Sequence, residues 1–222
     1  MVIGDANTEI AKGERVLIVG PSGSGESTLF RAIAGLWPWG AGQITLPDRS
    51  RMMFLTQRPY LPLGTLRAVL CYPASVRKFP IAAVKAALKR CGLEQPIRWL
   101  HEQERWDRVL SGGERLAFCR LILHKPDWVF MDKATSALDE ESQKSMMNLF
   151  TKELAGATLI SIAHRAGLDA FHDRTLTLVD SVGGARLVTK CRPRSAGKPP
   201  ARRKRRPLKA IVLHRLRSSR AA

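Results

Sequence analysis

Residues 20–28, GPSGSGEST, have the types and spacing of a loop that binds phosphate groups. In this pattern backbone N–H groups surround the phosphates, a lysine reaches the β and γ oxygens, and a serine or threonine binds Mg²⁺. Ser27 takes the metal-binding position, whereas Glu26 stands where the pattern has lysine. The sequence therefore predicts a nucleotide-phosphate site with the wrong charge at one position. The residues expected to contact nucleotide here are Gly20, Pro21, Ser22, Gly23, Ser24, Gly25, Glu26, Ser27 and Thr28.

The segments on either side of this loop have the patterns needed to hold it. Residues 15–19 form a β-branched apolar run, which is typical of a buried parallel strand. After the loop, Leu29, Ile33 and Leu36 recur at helical spacing. The loop is therefore expected to be a strand-to-helix turn, with phosphate-ready N–H groups at the start of the helix.

Five further motifs follow along the chain, at residues 54–57 (FLTQ), 110–114 (LSGGE), 128–132 (WVFMD), 136–139 (SALD) and 161–165 (SIAHR). Together with the loop, and in this order, they resemble the motifs of ATP-binding cassette (ABC) proteins. Residues 36–40 (LWPWG) and 57–67 (QRPYLPLGTLR) resemble more specifically those of bacterial half-transporters related to the peroxisomal fatty-acyl transporters.

The resemblance implies a role for each matching residue. ATP and Mg²⁺ would be the cofactors, with Ser27, Gln57 and Asp132 as the metal-binding set and His164 in contact with the γ-phosphate. In this family the signature motif completes the site of a second cassette across a head-to-tail dimer. The signature residues here are Ser111, Gly112 and Gly113. The implied partners are that second cassette and a transporter membrane domain, which would place the chain in the cytoplasm, at the inner face of the membrane.

Three departures from the family pattern predict impaired hydrolysis. Glu26 turns a phosphate contact worth up to about 4 kcal/mol into repulsion, and we treat this as an upper bound because a glutamate can turn into solvent. Lys133 follows Asp132 where active members carry a catalytic glutamate, and an ammonium group cannot accept a proton from water. The signature also lacks two residues between Glu114 and Arg115, which is about 200° of helix rotation. We expect Mg·ATP binding to be weakened and turnover to be lost or strongly impaired.

Composition limits the remaining possibilities. At 222 residues and 45% hydrophobic, the chain can bury one principal core. It contains no run of 18 apolar residues and no signal-peptide pattern, and its four scattered cysteines indicate reduced thiols, neither a zinc site nor a disulfide framework. The net charge of +18 is concentrated at the end, where residues 186–222 contain fourteen Lys and Arg and no acid. We expect this basic tail to be disordered from about residue 192 and to bind polyanions without specificity.

The predicted fold class is α/β, a P-loop NTPase core with a mainly parallel sheet and an inserted helical subdomain. Strands are expected at 15–20, 51–56, 128–132, 158–163 and 174–180, and helices at 27–36 and 140–154. The nucleotide-binding domain would span 1–185, with the helical subdomain at about 65–124 and the tail at 186–222. Strands 15–20 and 128–132 are expected side by side, which would make Glu26, Asp132 and Lys133 neighbours.

The reading that fits these features is the cassette of an ABC transporter, ancestrally coupling ATP binding and hydrolysis to transport. Three alternatives stay open at this point. The chain could be a non-catalytic subunit that lends its signature to an active partner cassette, a soluble ABC protein that acts on nucleic acid, or a decaying gene fragment.

Overall fold

The computed structural model describes residues 3–110, 113–163, 167–182, 184–190 and 211–217. The chain forms two compact units. Unit 1 contains Met1–Phe54, Asp127–Asp132 and Ala157–Ala222, and unit 2 contains Leu55–Pro126 and Lys133–Gly156. The strands, in chain order, are β1 (Ile3–Asp5), β2 (Thr8–Ile10), β3 (Arg15–Val19), β4 (Ala41–Thr45), β5 (Met52–Thr56), β6 (Gly64–Thr65), β7 (Gln103–Glu104), β8 (Trp128–Asp132), β9 (Thr158–Ile162), β10 (Arg174–Val179), β11 (Ala185–Lys190) and β12 (Ile211–Arg217). The α-helices are α1 (Glu26–Ile33), α2 (Leu66–Cys71), α3 (Ile81–Arg90), α4 (Trp106–Val109), α5 (Gly113–His124) and α6 (Glu140–Met147).

Seven strands form one sheet in the order β1-β11-β10-β3-β9-β8-β5. The pairs β10–β3, β3–β9 and β9–β8 are parallel, and β10–β11 is antiparallel. The predicted α/β class with a mainly parallel sheet is therefore confirmed. The strands expected from apolar runs are also present, because parallel strands buried on both faces are continuously apolar in sequence.

The order of the central strands corrects one prediction. β9 lies between β3 and β8, so the strand before the glycine-rich loop and the strand ending at Asp132 are not adjacent. The expectation that Glu26, Asp132 and Lys133 are neighbours assumed that they were. Local sequence patterns identify strands but do not specify which strands pair, and the pairing here depends on contacts made across the whole sheet.

One face of the sheet is covered by α1. Alternate residues of the central strands point to this face, because side chains alternate along a strand. They pack with three buried residues of α1: Leu29, Phe30 and Ile33. The strand residues of this cluster are Val16, Ile18, Trp128, Phe130, Ile160, Ile162, Leu176 and Leu178. This packing fixes the helix that follows the glycine-rich loop on the sheet that precedes it.

A second sheet in unit 1 corrects the prediction for the tail. It has three strands in the order β2-β12-β4, and β12 pairs antiparallel with both neighbours. Residues 211–217, which we expected to be disordered, are thus a central strand. The prediction used the basic composition of the whole tail and did not consider separately the apolar run Ile211-Val212-Leu213 near its end. β11 also continues to Lys190, past the predicted boundary at 185.

Unit 2 contains α2 to α6, and α5 is its central helix. α5 packs against α2 and α3, and its residues from Leu116 to Leu121 are buried around the whole helix, including Arg120. α6 begins at a side-chain cap, in which Asp139 accepts a hydrogen bond from the Ser142 N–H at 2.8 Å. α6 ends at Met147, earlier than the predicted helix, and continues as a 3₁₀ turn at Asn148–Thr151. Within the described residues of both units, no helix has the length and hydropathy needed to cross a lipid bilayer.

Buried His172 predicts a pH-dependent stability for unit 1. Its Nδ1 lies 2.7 Å from the Leu168 carbonyl oxygen and its Nε2 lies 2.8 Å from Ser161 Oγ. Burial lowers the pKa of His172, and nearby Arg15 adds to this while Asp173 and Asp169 oppose it. Because the folded pKa is below the unfolded one, the unfolded chain binds more protons as pH falls through the unfolded pKa. Stability should therefore be lost as pH falls through the unfolded pKa of about 6.5 towards the lower folded pKa, by up to about 1.4 kcal/mol per pH unit for this group.

The change His172→Gln should flatten this pH dependence, measured as the free energy of unfolding in urea at each pH. The matched control is His101→Gln at an exposed histidine, which should keep the wild-type slope. If the free energy of unfolding fell equally steeply with pH in wild type and in His172→Gln, the prediction would be wrong.

Candidate nucleotide-binding site

The glycine-rich loop connects β3 to α1 and is shaped by its glycines. Gly23 and Gly25 have φ values of 85° and 99°, in the left-handed region that favours glycine. A Cβ on Gly20 would lie 2.4 Å from Ser24 Oγ and 2.9 Å from Leu178 Cβ. A turn closes the loop, in which the Ser24 N–H donates to the Pro21 carbonyl oxygen at 3.0 Å. The predicted strand-to-helix turn is present, and its backbone could not take this path with larger residues at these positions.

The start of α1 offers backbone donors to an anion. Gly25 caps the helix without a side-chain hydrogen bond, and the first intrahelical bond runs from the Leu29 N–H to the Gly25 carbonyl oxygen at 2.8 Å. The N–H groups of Ser27 and Thr28 precede that bond and so have no acceptor within the helix. A helix N-terminus of this kind binds phosphate through its N–H groups and its dipole. The backbone of the loop therefore fits a phosphate group.

Glu26 does not fit it. Its side chain is buried, with 5% of the residue exposed, so it does not turn into solvent in this structure. A carboxylate in the first turn is favoured by the helix dipole, typically by 0.3–1 kcal/mol, so α1 stabilises Glu26 where it lies. The same position would place a negative charge beside bound phosphates.

Asp132 lies at the same edge of the sheet as the loop. Ile162 pairs with both Ile18 and Asp132, so these three residues form a row across β3, β9 and β8. Two strand spacings separate Ile18 from Asp132, which is about 10 Å. Since the three strands are parallel, all of them end at this edge, where ligands bind in open α/β sheets. Ser27, half-buried in the first turn of α1, supplies a hydroxyl group at the helix end that faces the loop. Carboxylate and hydroxyl oxygens are suitable ligands for Mg²⁺.

Two of the predicted contacts lie outside the described residues. One is His164, expected at the γ-phosphate, and the other is the signature pair Ser111 and Gly112. Their roles stay predictions.

Three further predicted residues belong to unit 2. Gln57 is exposed directly after β5, and Gly113 begins α5. A Cβ on Gly113 would lie 3.8 Å from side-chain atoms of both Leu61 and Pro59, so the start of α5 lies against the segment that follows Gln57. Lys133 is half-buried with φ 51°, an uncommon left-handed conformation for a side chain of this size.

Arg120 is a positioning residue that sequence reasoning missed. From the buried part of α5 it donates hydrogen bonds to the carbonyl oxygens of Val69, at 2.9 Å, and Tyr60, at 2.8 Å. Burial lowers the pKa of Arg120 to about 10, so it stays charged at neutral pH. Its hydrogen bond to the Tyr60 carbonyl oxygen joins α5, the helix that follows the signature motif, to the segment after Gln57. The signal in the sequence was a single arginine within an otherwise apolar stretch of helix.

A second set of polar contacts joins α5 to α6. Arg115 Nη2 donates to Ser142 Oγ at 2.6 Å and lies 3.6 Å from Asp139 Oδ2. Asp139 also accepts from the Ser142 hydroxyl at 2.7 Å. Asp139 and the start of α5 are therefore held in one network with α6 within unit 2.

Comparisons with known proteins agree with these motifs. The family model described as ABC transporter matches residues 3–136. An uncharacterized ABC transporter ATP-binding protein of Haemophilus influenzae is 40% identical over 176 residues, which cover 78% of this chain and 30% of that protein. Human ATP-binding cassette sub-family D member 3 is 36% identical over 184 residues, covering 78% of this chain and 28% of that protein.

Among solved structures, a bacterial Atm1-family ABC exporter with ATP bound is similar, with a TM-score of 0.68 and 29% identity. The similarity covers 81% of this chain and 34% of the exporter chain. The chain spans less than a third of the length of the curated relatives named above.

Proposed function

We propose that this chain, which belongs to the ABC transporter family, binds Mg·ATP weakly at the glycine-rich loop and does not turn it over at a useful rate. The observation that carries the proposal is the shared edge of the sheet. The loop, the start of α1 and Asp132 lie at one edge, with a backbone suited to phosphate and a buried carboxylate, Glu26, opposing it.

Different groups in the site are proposed to bind the phosphates and the metal. Backbone N–H groups of the loop and of the first turn of α1 donate to phosphate oxygens, and Ser27 and Asp132 supply oxygen ligands to the metal. Gln57 is proposed as a further ligand on the basis of its motif. When bound, Mg²⁺ neutralises phosphate charge and bridges phosphate oxygens. Gly113, with Ser111 and Gly112, is proposed to contact the nucleotide of a second cassette.

Two side chains weaken this function for separate reasons. Glu26 adds a buried negative charge at the phosphate position, and even a third of the 4 kcal/mol upper bound, about 1.4 kcal/mol, lowers affinity tenfold. Lys133 carries an ammonium group at neutral pH, which cannot accept a proton from the attacking water. Binding is therefore reduced, and hydrolysis is reduced further.

The relatives support proposals about assembly and location. An ABC exporter and ABC transporter proteins are similar to this chain, so we infer that it works with a transporter membrane domain and a second cassette, at the cytoplasmic face of a membrane. The basic residues between 191 and 210 would add a nonspecific, salt-sensitive attraction to polyanions through counterion release.

Titration with a fluorescent ATP analogue in Mg²⁺ tests the nucleotide site. We expect a weak signal that unlabelled ATP displaces, and at least tenfold weaker binding for Asp132→Ala. The matched control is Asp127→Ala, at the other end of β8, where Asp127 pairs with Arg51 and Lys12 and should not affect binding. A signal that ATP does not displace, or equal binding by Asp132→Ala and wild type, would refute the proposal.

A further inference from the structure

We propose that a groove in unit 2 is a docking site for a short amphipathic helix of a partner protein, one whose apolar face is flanked by Asp and Glu. The groove has a volume of about 810 Å³. One wall is α3, and the other is the segment that runs from Glu94 through the 3₁₀ helix Gln95–Trp99 to His101. This inference does not depend on nucleotide binding.

The centre of the groove is apolar. Leu100, with 1% of the residue exposed, and half-buried Ile97 line it from one wall, and Ile81 lines it from α3. Ile81 is 36% exposed in the first turn of α3, where the helix dipole favours an acidic side chain. The dipole therefore gives no reason for an isoleucine at this surface position. An apolar centre between polar edges is the usual composition of a protein–protein interface.

Cations form the edge of the groove on α3. Lys85 and Lys89 follow Ile81 at intervals of four residues, so all three lie on one face of the helix. Both lysines are exposed, and neither forms an ion pair with another described residue. On α6, by contrast, the exposed Lys144 has its Nζ 2.7 Å from Oε1 of Glu140, four residues earlier. The two cations of α3 are thus available to acids from another molecule.

The opposite wall adds a third cation. The guanidinium carbon of Arg98 lies 4.4 Å from the centroid of the Trp99 ring, a cation–π contact that restricts this long side chain before a partner binds. Less side-chain entropy is then lost on binding. Among the described residues that line the groove, Glu94 is the one acid, so three positive charges face one negative charge. This balance attracts an acidic partner and disfavours a basic one.

The walls also determine the form of the occupant. Both consist of helix, so neither offers the free strand edge that an extended peptide needs for backbone pairing. The eight steps from Ile81 to Lys89 give the groove a length of about 12 Å. Residues i and i+7 of a docked helix are about 10.5 Å apart, so two turns fit, with apolar anchors at the usual spacing for a helix in a groove. A planar membrane surface would contact the edges and leave the apolar centre uncovered.

A peptide titration with the full chain tests the site. The probe is the fluorescein-labelled peptide LEELLEELLEEL, measured by fluorescence anisotropy at 0.15 M salt. We expect Lys85→Glu/Lys89→Glu to weaken binding at least tenfold, and Ile81→Ser to weaken it at least threefold. The control Arg77→Glu/Lys152→Glu makes the same change in net charge at exposed cations of unit 2 outside the groove, and should alter binding less than twofold. A scrambled peptide of the same composition should bind at least tenfold more weakly than the probe.

Photo-crosslinking locates the bound peptide, which is needed because the basic residues between 191 and 210 also attract acids. A probe with benzoylphenylalanine in place of a central leucine is irradiated with the unmodified chain, and the adducts are mapped by mass spectrometry. We expect adducts within residues 81–101. Adducts confined to residues 191–222, equal binding of the scrambled peptide, or equal losses in the two double charge variants would each refute the proposal.

Vesicles containing phosphatidylserine test a membrane surface as the occupant. In a sedimentation assay we expect Lys85→Glu/Lys89→Glu and Arg77→Glu/Lys152→Glu to bind these vesicles equally, because their net charges are the same. If vesicle binding fell tenfold only in the groove variant while its peptide binding was unchanged, the face would belong to a membrane contact and the proposal would be wrong.

Discussion

Replacing Glu26 with lysine is expected to tighten binding of Mg·ATP by at least tenfold and to leave phosphate release at background. The change removes a buried carboxylate from the phosphate position and adds an ammonium group, so two charge terms act in the same direction. Turnover stays absent because Lys133 is unchanged. The measurements are a nucleotide titration and steady-state phosphate release on the same preparations.

Further variants distinguish the effect of charge on nucleotide binding from the effect of the missing glutamate on hydrolysis. Glu26→Gln removes the negative charge without adding a positive one and should bind with intermediate affinity. Lys133→Glu alone should stay inactive because ATP is poorly held, whereas Glu26→Lys/Lys133→Glu should release phosphate faster than either single variant. Robust turnover by the unmodified chain would refute the argument, since it would mean that neither residue is needed.

The same exchange should lower stability when nucleotide is absent. Glu26 lies in the first turn of α1, where the dipole favours an acid and disfavours a base. The lysine variant should therefore depend more on Mg·ATP for its stability, and a thermal shift that grows with ATP concentration would accompany the gain in affinity.

Phe130→Ala should lower the free energy of unfolding by about 3–5 kcal/mol. Phe130 is 1% exposed on β8, and its ring stacks on Phe54 with centroids 4.6 Å apart. Phe54 in turn contacts Phe30 of α1 edge to face at 5.6 Å. Removing the ring leaves a cavity between the sheet and the helix that carries Glu26 and Ser27.

Urea unfolding measures this effect, with Trp39→Ala as the control. Trp39 is 67% exposed, so truncating this aromatic residue should change stability by no more than about 0.5 kcal/mol. A loss below 1 kcal/mol for Phe130→Ala would show that unit 1 closes the cavity or that the aromatic cluster is not part of its stable core.

Local features of the sequence predicted the loop and the strands that hold it. The bounds of β3, β8 and β9 follow from short apolar runs, and the glycines of the loop follow from a spacing that only a tight turn requires. Properties set by distant contacts were not predictable in this way. The position of β9 between β3 and β8 depends on pairing across the sheet, and the burial of Glu26 depends on what surrounds α1.

Two misses have a different cause. Arg120 was overlooked because an arginine in a helix is usually exposed, and only the carbonyl groups it reaches show why this one is buried. β12 was assigned to a disordered tail because composition averaged over residues 186–222 outweighed three consecutive apolar residues. A window of strand length would have detected it.

The position of β12 also sets the order in which unit 1 can be completed during synthesis. β2 and β4 leave the ribosome well before β12, the strand that joins them, because 166 positions separate Thr45 from Ile211. The main sheet also depends on contacts between distant parts of the sequence: the Gly13 N–H donates a hydrogen bond to Thr158 Oγ1, 145 residues away. Contacts over such separations form slowly, and until then the edges of β2 and β4 are open to other chains. The edges of β2 and β4 therefore stay unpaired by β12 until residues 211–217 have been synthesised.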